Sequence, residues 1–243
     1  MSDRPPSDSS RPAREDLFHS RPAEGALLLS DGSRVAALPE TFMQTLHRGL
    51  GEAAPDHTRQ LLYRTGYEWG LQDMLPLSRR LREKFGGSDN LDLWQMDALF
   101  VLERWATPFA AAGWGACSFD LAALAKGLVF VELRHSIAVS AVGRATAPVC
   151  DLYAGLLAGA LSFYHRAENH AVETECAAQG HACCRFIIGP GNLVDQAENA
   201  RRSGLAHDAI RRLVLEDRAP APAPAPAAPR AVAVKSAKIP LKK

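Results

Sequence analysis

Three cysteines in the C-terminal half of the chain have the spacing expected of a metal site. Cys176 and Cys184 lie on either side of an Ala-Ala-Gln-Gly segment, and Cys150 precedes a glycine-rich apolar stretch. Zinc in structural sites prefers thiolate, imidazole and carboxylate ligands arranged in a closed tetrahedron. These residue types therefore predict a thiolate-rich zinc site that needs one further ligand.

The spacing of the residues leaves the fourth ligand open among Glu173, Glu175 and His181. On a regular strand, alternate side chains point to opposite faces, so both glutamates would face away from Cys176. A shared metal therefore requires the strand to end or to bulge near residue 174 or 175. Four protein ligands leave no open position for water or substrate, so we expect a structural metal.

Two elements must position these ligands. The residues around Cys176 and Cys184 predict the two arms of a hairpin, and antiparallel strands bring opposite side chains within about 5 Å of each other. Cys150 stands at the start of a predicted helix, where the helix dipole favours a thiolate. Gly155 and Gly159 repeat in that helix at a spacing of four, which indicates close packing against another backbone.

The remaining sequence predicts an α+β fold. A short strand is predicted at 26–29, and apolar residues at helical spacing predict helices after Pro39, after Pro55 and from about 91 to 109. Segments 113–121 and 126–142 are rich in β-branched and aromatic residues, which favour strands. A final helix over 193–215 is predicted to break at Gly204. The prediction is thus N-terminal helices packed on an antiparallel sheet, with a glycine-rich helix before a C-terminal zinc-binding hairpin.

The composition predicts one folded domain between two flexible ends. Of the 243 residues, 47% are hydrophobic and 23% are charged, which is the balance of a globular protein. Residues 1–24 are polar and proline-rich and are predicted to be disordered. Residues 219–243 begin with an alternating Ala-Pro run, which predicts an extended linker before a basic tail. The folded domain is predicted to cover 25–218.

The sequence predicts a cytoplasmic protein. No apolar run approaches the roughly 20 residues that span a bilayer, and the N-terminus lacks the apolar region of a signal peptide. The chain has five cysteines, which in a cytoplasmic protein indicate metal binding or buried thiols more than disulfides.

The same C-terminal residues carry a family resemblance. The glycine-rich stretch that begins at Cys150, the Glu-x-x-Cys of 173–176, the turn at Gly180 and the Cys-Arg-Phe from Cys184 resemble the end of a 4-vinyl reductase domain. That domain is similar to the effector-sensing domain of phenol- and xylene-responsive transcription activators. Its ligand-binding fold is shared more distantly with NO-signalling proteins and Golgi transport tethering subunits. A weaker match extends back to about residue 26.

The resemblance implies a ligand set for the metal. In the sensor members, three cysteines and a glutamate at these places hold zinc. Carried over to this chain, that set is Cys150, Glu173, Cys176 and Cys184. It selects Glu173 over Glu175 and His181, and it leaves the adjacent Cys183 outside the site.

The resemblance also implies a pocket between the helices and the sheet. In the aromatic sensors a histidine and a tryptophan hold the phenolic ligand, whereas Val101 and Val129 stand near those places here, and neither side chain donates a hydrogen bond. We therefore expect a more apolar or aromatic ligand than phenol. The residues predicted to line the pocket are Phe100, Val101, Trp105, Val129, His135 and Tyr164.

These observations favour a homodimeric bacterial module that binds an apolar small molecule and acts as a regulator or adaptor, with zinc as a structural staple. One alternative is an accessory protein or reductase acting on a vinyl tetrapyrrole of the bacteriochlorophyll type. The sequence has no nucleotide fingerprint, flavin motif or Cys-x-x-Cys pair to supply a reductant, so we favour a protein that is not an enzyme. A second alternative is a dimeric scaffold whose basic residues within 230–243 contact nucleic acid or an acidic protein.

Overall fold

A computed structural model of the chain describes residues 17–30, 32–85 and 93–216. Most of the predicted flexible N-terminal segment and the whole of the predicted linker and basic tail lie outside the described residues. The predicted α+β fold is confirmed, since the described residues form helices and antiparallel sheets.

Two antiparallel sheets are formed within the described residues. The N-terminal sheet has the strand order β1-β2-β3, and the central sheet has the order β4-β5-β7-β6. The strands are β1 (Phe18–Arg21), β2 (Ala26–Leu29), β3 (Arg34–Val35), β4 (Ala116–Asp120), β5 (Val129–Arg134), β6 (His170–Glu175) and β7 (Cys184–Gly189).

Seven α-helices accompany these strands in the described residues. They are α1 (Glu40–Ala53), α2 (Thr58–Phe85), α3 (Ala98–Ala111), α4 (Ile137–Val142), α5 (Asp151–His165), α6 (Gly191–Arg202) and α7 (His207–Glu216). The start of α3 is fixed by Asp97, whose side chain accepts a hydrogen bond from the backbone N–H of Phe100 at 2.8 Å. No helix in the described part of the chain combines the length and apolarity that crossing a membrane requires.

The inner strands β5 and β7 of the central sheet are buried on both faces, and strand alternation explains how. On β5, Val129, Val131 and Leu133 face the larger core, which includes residues of α2, α3 and α5. Phe130 points the opposite way into a second core with Ile187 and the apolar residues of α6 and α7. Successive side chains on a strand point to opposite faces, so one strand contributes to both cores.

Glycines interlock α2 with α5. A Cβ atom added to Gly66 would lie 2.0 Å from the carbonyl oxygen of Leu152, and one added to Gly155 would lie 1.9 Å from the carbonyl oxygen of Tyr63. Gly70 and Gly159 make equally close approaches one turn further along their helices. The predicted use of Gly155 and Gly159 for close backbone packing is confirmed.

One local prediction is wrong and another is confirmed. Segment 137–142 is the helix α4 and not a strand, because Ser136 caps it by accepting a hydrogen bond from the N–H of Val139. Strand β1 lies before the predicted boundary at residue 25 and pairs with β2. The predicted break of the last helix is confirmed, and Gly204 adopts a φ of 83° between α6 and α7.

Candidate metal centre and aromatic cavity

Four buried side chains meet where the N-terminus of α5 contacts the β6–β7 hairpin. One ligand atom from each of Cys150, Glu173, Cys176 and Cys184 lies within 4.8 Å of the others. Cys150 is the residue before the first turn of α5, and its Sγ lies 3.6 Å from that of Cys184. The Sγ atoms of Cys184 and Cys176 are 3.9 Å apart.

A β-bulge turns Glu173 toward the cysteines. The register of β6 against β7 shifts between Glu173, which pairs with Phe186, and Glu175, which pairs with Arg185. Thr174 is the extra residue, and its hydroxyl donates to the carbonyl oxygen of Arg185 at 3.1 Å. A bulge places side chains that regular alternation would separate on the same side.

The other candidate ligands are placed elsewhere. The Glu175 carboxylate pairs with the Arg185 guanidinium at 3.4 Å. His181 is exposed on the turn of the hairpin. Cys183 is buried but is not part of the group of four.

The donor set fits a tetrahedral metal. Zinc–sulfur bonds of about 2.3 Å in a tetrahedron place the sulfur atoms roughly 3.8 Å apart. This distance lies between the two Sγ–Sγ separations of 3.6 Å and 3.9 Å. One carboxylate oxygen of Glu173 accepts from the N–H of Cys150 at 3.0 Å, whereas the buried Oε1 has no hydrogen-bond partner. A buried oxygen without a donor is costly, and a bound cation would satisfy it.

Outer contacts hold the thiols in place. The Sγ of Cys184 accepts from the N–H of Ala177 at 3.4 Å, and the hydroxyl of Ser136 lies 3.4 Å from the Sγ of Cys150. Groups of this kind orient the ligands of metal sites.

Burial and mutual contact shift the pKa values of these residues. Burial raises the pKa of Glu173 to about 9. The hydrogen bond with Cys176, together with burial, raises the pKa of Cys150 well above its usual range. Hydrogen bonds with Cys150 and Cys184 lower the pKa of Cys176. A bound divalent cation would favour the ionised form of all four groups.

A cavity of about 770 Å³ lies between the N-terminal sheet and helices α2 and α3. Three of the chain's four tryptophans line it, Trp69, Trp105 and Trp114, together with Phe109. Their rings meet edge to face, with centroids 5.1 Å apart for Trp69 and Trp114 and 5.2 Å apart for Trp105 and Phe109. The indole N–H of Trp105 donates to Asp73 at 2.9 Å.

The six residues predicted to line a pocket are not brought together around this cavity. Trp105 lines it. Val101 and Val129 are fully buried in the larger core, and the hydroxyl of Tyr164 donates to the carbonyl oxygen of Met96 at 3.0 Å. Phe100 packs on Phe85 with ring centroids 5.8 Å apart, and His135 is exposed with a φ of 56°.

Sequence reasoning missed the part that Trp69 and Asp73 play in this cavity. They lie four residues apart on α2, one turn of helix, and therefore share a face. The sequence signal that could have indicated a ligand-facing helix surface was a carboxylate one helical turn from a tryptophan. The sheet that forms the other wall carries no recognisable motif.

The family comparison covers this part of the chain. Residues 129–190 match the V4R domain family, which confirms the resemblance to 4-vinyl reductase domains. The matched stretch runs from β5 to the end of β7, so it contains all four residues of the candidate metal centre. No curated protein matches the chain.

Two solved structures are similar to the chain. The phenol-responsive sensory domain of the transcription activator PoxR, solved with phenol, is 20% identical with a TM-score of 0.56, and the match covers 77% of this chain and 90% of that one. This likeness establishes the fold. A vinyl-4-reductase family protein from Methanocaldococcus jannaschii is 19% identical with a TM-score of 0.41, over 63% of this chain and 82% of that one.

Proposed function

We propose that the chain is a small-molecule-binding regulatory module in which a structural zinc fastens the C-terminal hairpin to α5. The observation that carries the ligand-binding part is the tryptophan-lined cavity beneath the N-terminal sheet. Its size and mainly apolar walls are those of sites that enclose a drug-sized ligand. Asp73, fixed by Trp105, supplies a polar group that can orient the ligand.

The role of zinc follows from the ligand set. Three thiolates and one carboxylate complete a tetrahedron and leave no position for water, so the metal would stabilise the fold without taking part in hydrolysis. Cys150 immediately precedes α5, whereas Glu173 and Cys184 belong to the hairpin. The metal would therefore join the start of α5 to the hairpin, in addition to the hydrogen bond from the N–H of Cys150 to Glu173.

The sensor with the same fold supports a ligand-responsive role. The PoxR sensory domain responds to phenol. In this chain the cavity walls are indole and phenyl rings, so we propose an apolar or aromatic ligand. We propose further that the protein is a cytoplasmic homodimer, as the sequence predicts.

Native mass spectrometry of the purified chain tests both parts. We expect one zinc per chain, a dimeric mass, and retention of small aromatic compounds added in excess. Replacing Trp69 by Leu should weaken retention at least tenfold, whereas Trp94→Phe, which changes the one tryptophan outside the cavity, should leave it unchanged. A wild-type chain without zinc would overturn the metal assignment. Equal losses in the two variants would overturn the ligand site.

A further inference from the structure

The aromatic cavity adjoins a basic concavity. This second hollow of about 460 Å³ shares Ser33, Pro76 and Arg80 with the aromatic cavity. Arg79 and Lys84 also line it. The two hollows are therefore adjacent, with the aromatic cavity mainly apolar and the basic concavity lined by charged side chains.

Helix α2 sets the spacing between the two parts. Trp69 and Asp73 lie in its middle, while Arg80 and Lys84 lie in its last two turns. With a rise of about 1.5 Å per residue, the 11 residues from Asp73 to Lys84 span roughly 16 Å. An elongated small molecule along α2 would thus place one end among the rings and the other among the basic side chains.

The basic concavity, which forms the mouth of the aromatic cavity, carries a net positive charge. The described residues that line the basic concavity include three basic side chains, those of Arg79, Arg80 and Lys84, and one acidic side chain, that of Glu83. Lys84 lies in the last turn of α2, where a cation complements the helix dipole. Arg79 lies before that turn, so a favourable interaction with the helix dipole does not account for a basic residue at this position.

We infer that the ligand is an amphiphilic anion, with its apolar body among the tryptophans and a carboxylate or similar group at the basic mouth. The inference rests on the proposed ligand-binding function and adds the charge and orientation of the ligand. Asp73 disfavours an anionic group inside the cavity and so enforces the outward orientation. The volume suits one single-chain or aromatic acid and is too small for a two-chain lipid.

Intrinsic fluorescence of the full chain carrying Trp94→Phe tests the inference, because all three remaining tryptophans line the cavity. The probes are octanoate, octanol and octyltrimethylammonium, which share one tail and differ in the charge of the head. We expect all three to shift the emission maximum. The Kd for octanoate should be at least fivefold lower than that for octanol, and the ammonium probe should bind most weakly.

Variants locate the effect. Arg79→Ala with Lys84→Ala should bring the Kd for octanoate to that for octanol and leave octanol binding unchanged. Arg64→Ala, an exposed change on the same helix outside both hollows, should keep the preference. Added salt should reduce the preference, since exposed charges are screened.

The outcomes separate the two proposals. Equal affinity for octanoate and octanol, or tighter binding of the ammonium probe, would overturn the inferred charge while leaving the ligand site intact. A preference that survives the Arg79 and Lys84 changes would overturn the assigned mouth. No emission shift with any of the three probes would remove the ligand-binding proposal, and the inference with it.

Discussion

The metal centre and the N-terminal sheet, which forms one wall of the aromatic cavity, differ most in burial. Cys150, Cys176 and Cys184 are 0% exposed and Glu173 is 5% exposed. In contrast, no residue of β1, β2 or β3 is fully buried. Free energy of folding comes mainly from buried apolar surface, so the stability of the domain should reside around the central sheet and α5. The N-terminal sheet can then adjust to a ligand at little cost to the rest of the fold.

The largest expected effect is at the interlocked helices. Gly155→Ala would place a Cβ atom 1.9 Å from the carbonyl oxygen of Tyr63, so the two backbones must separate. We expect a loss of more than about 4 kcal/mol in the free energy of unfolding, or failure to fold. Urea denaturation measures the loss.

The matched control is Gly49→Ala in α1, where an added Cβ atom meets nothing within 4 Å. Removing a glycine from a helix interior there should stabilise the protein by up to about 1 kcal/mol. An unchanged urea midpoint for Gly155→Ala would show that α2 and α5 are not locked as described.

Removal of one thiolate should have the next largest effect. Cys176→Ser should abolish stoichiometric zinc and lower the free energy of unfolding by about 4 kcal/mol when zinc exceeds its Kd by 1,000-fold. Metal analysis and thermal unfolding with and without a chelator provide the measurement. Cys183→Ser, a buried thiol next to Cys184 but outside the group of four, should keep the zinc. Equal metal content in both variants would contradict the assignment.

A smaller effect is expected from the buried histidine at the start of α7. Burial lowers the pKa of His207, whose Nδ1 lies 2.6 Å from the hydroxyl of Thr174. The unfolded chain therefore takes up a proton before the folded chain does, and stability should fall as pH drops below about 6.5. His207→Asn should make this pH dependence shallower and cost about 1 kcal/mol at neutral pH.

Urea midpoints between pH 5.5 and 7.5 provide the measurement. The control is His135→Asn, because His135 is exposed and has a φ of 56°, which asparagine tolerates. This variant should retain the pH dependence of the wild type. A pH dependence equally steep in the His207 variant would show that another group produces it.

The smallest effect should come from the N-terminal sheet. Leu27 of β2 is half-buried and lines the cavity, so Leu27→Ala should cost less than about 1.5 kcal/mol. Ile188 of β7 is 0% exposed, and Ile188→Ala should cost about 3–4 kcal/mol. Equal losses in equilibrium unfolding would remove the distinction between the two regions.

What the sequence predicted well depends on local spacing. The turn between Cys176 and Cys184 predicts a hairpin, and the geometry of a strand requires a bulge if a glutamate of β6 is to join them. The structure has that bulge at Thr174. The glycine pairs likewise predicted close helix packing, because no other side chain permits such an approach.

What the sequence did not predict depends on context beyond the segment. The β-branched residues of 137–142 favour a strand, yet the Ser136 cap makes the segment a helix that packs against α1. The cavity joins residues of β2, α2 and α3, which are distant in sequence. Its tryptophans follow ordinary helical spacing, and such spacing does not distinguish a core position from a cavity wall.

The interlocked glycines of α2 and α5 also restrict how the domain can move. At each glycine, a backbone carbonyl of the other helix occupies the space where a Cβ atom would lie. If one helix moved along the other by one residue, that carbonyl would collide with a side chain. The pair therefore has a single axial register, and piston-like sliding of one helix along the other is excluded. Tilting of the two helices as one body, or displacement of the sheet that covers the cavity, would leave this register intact.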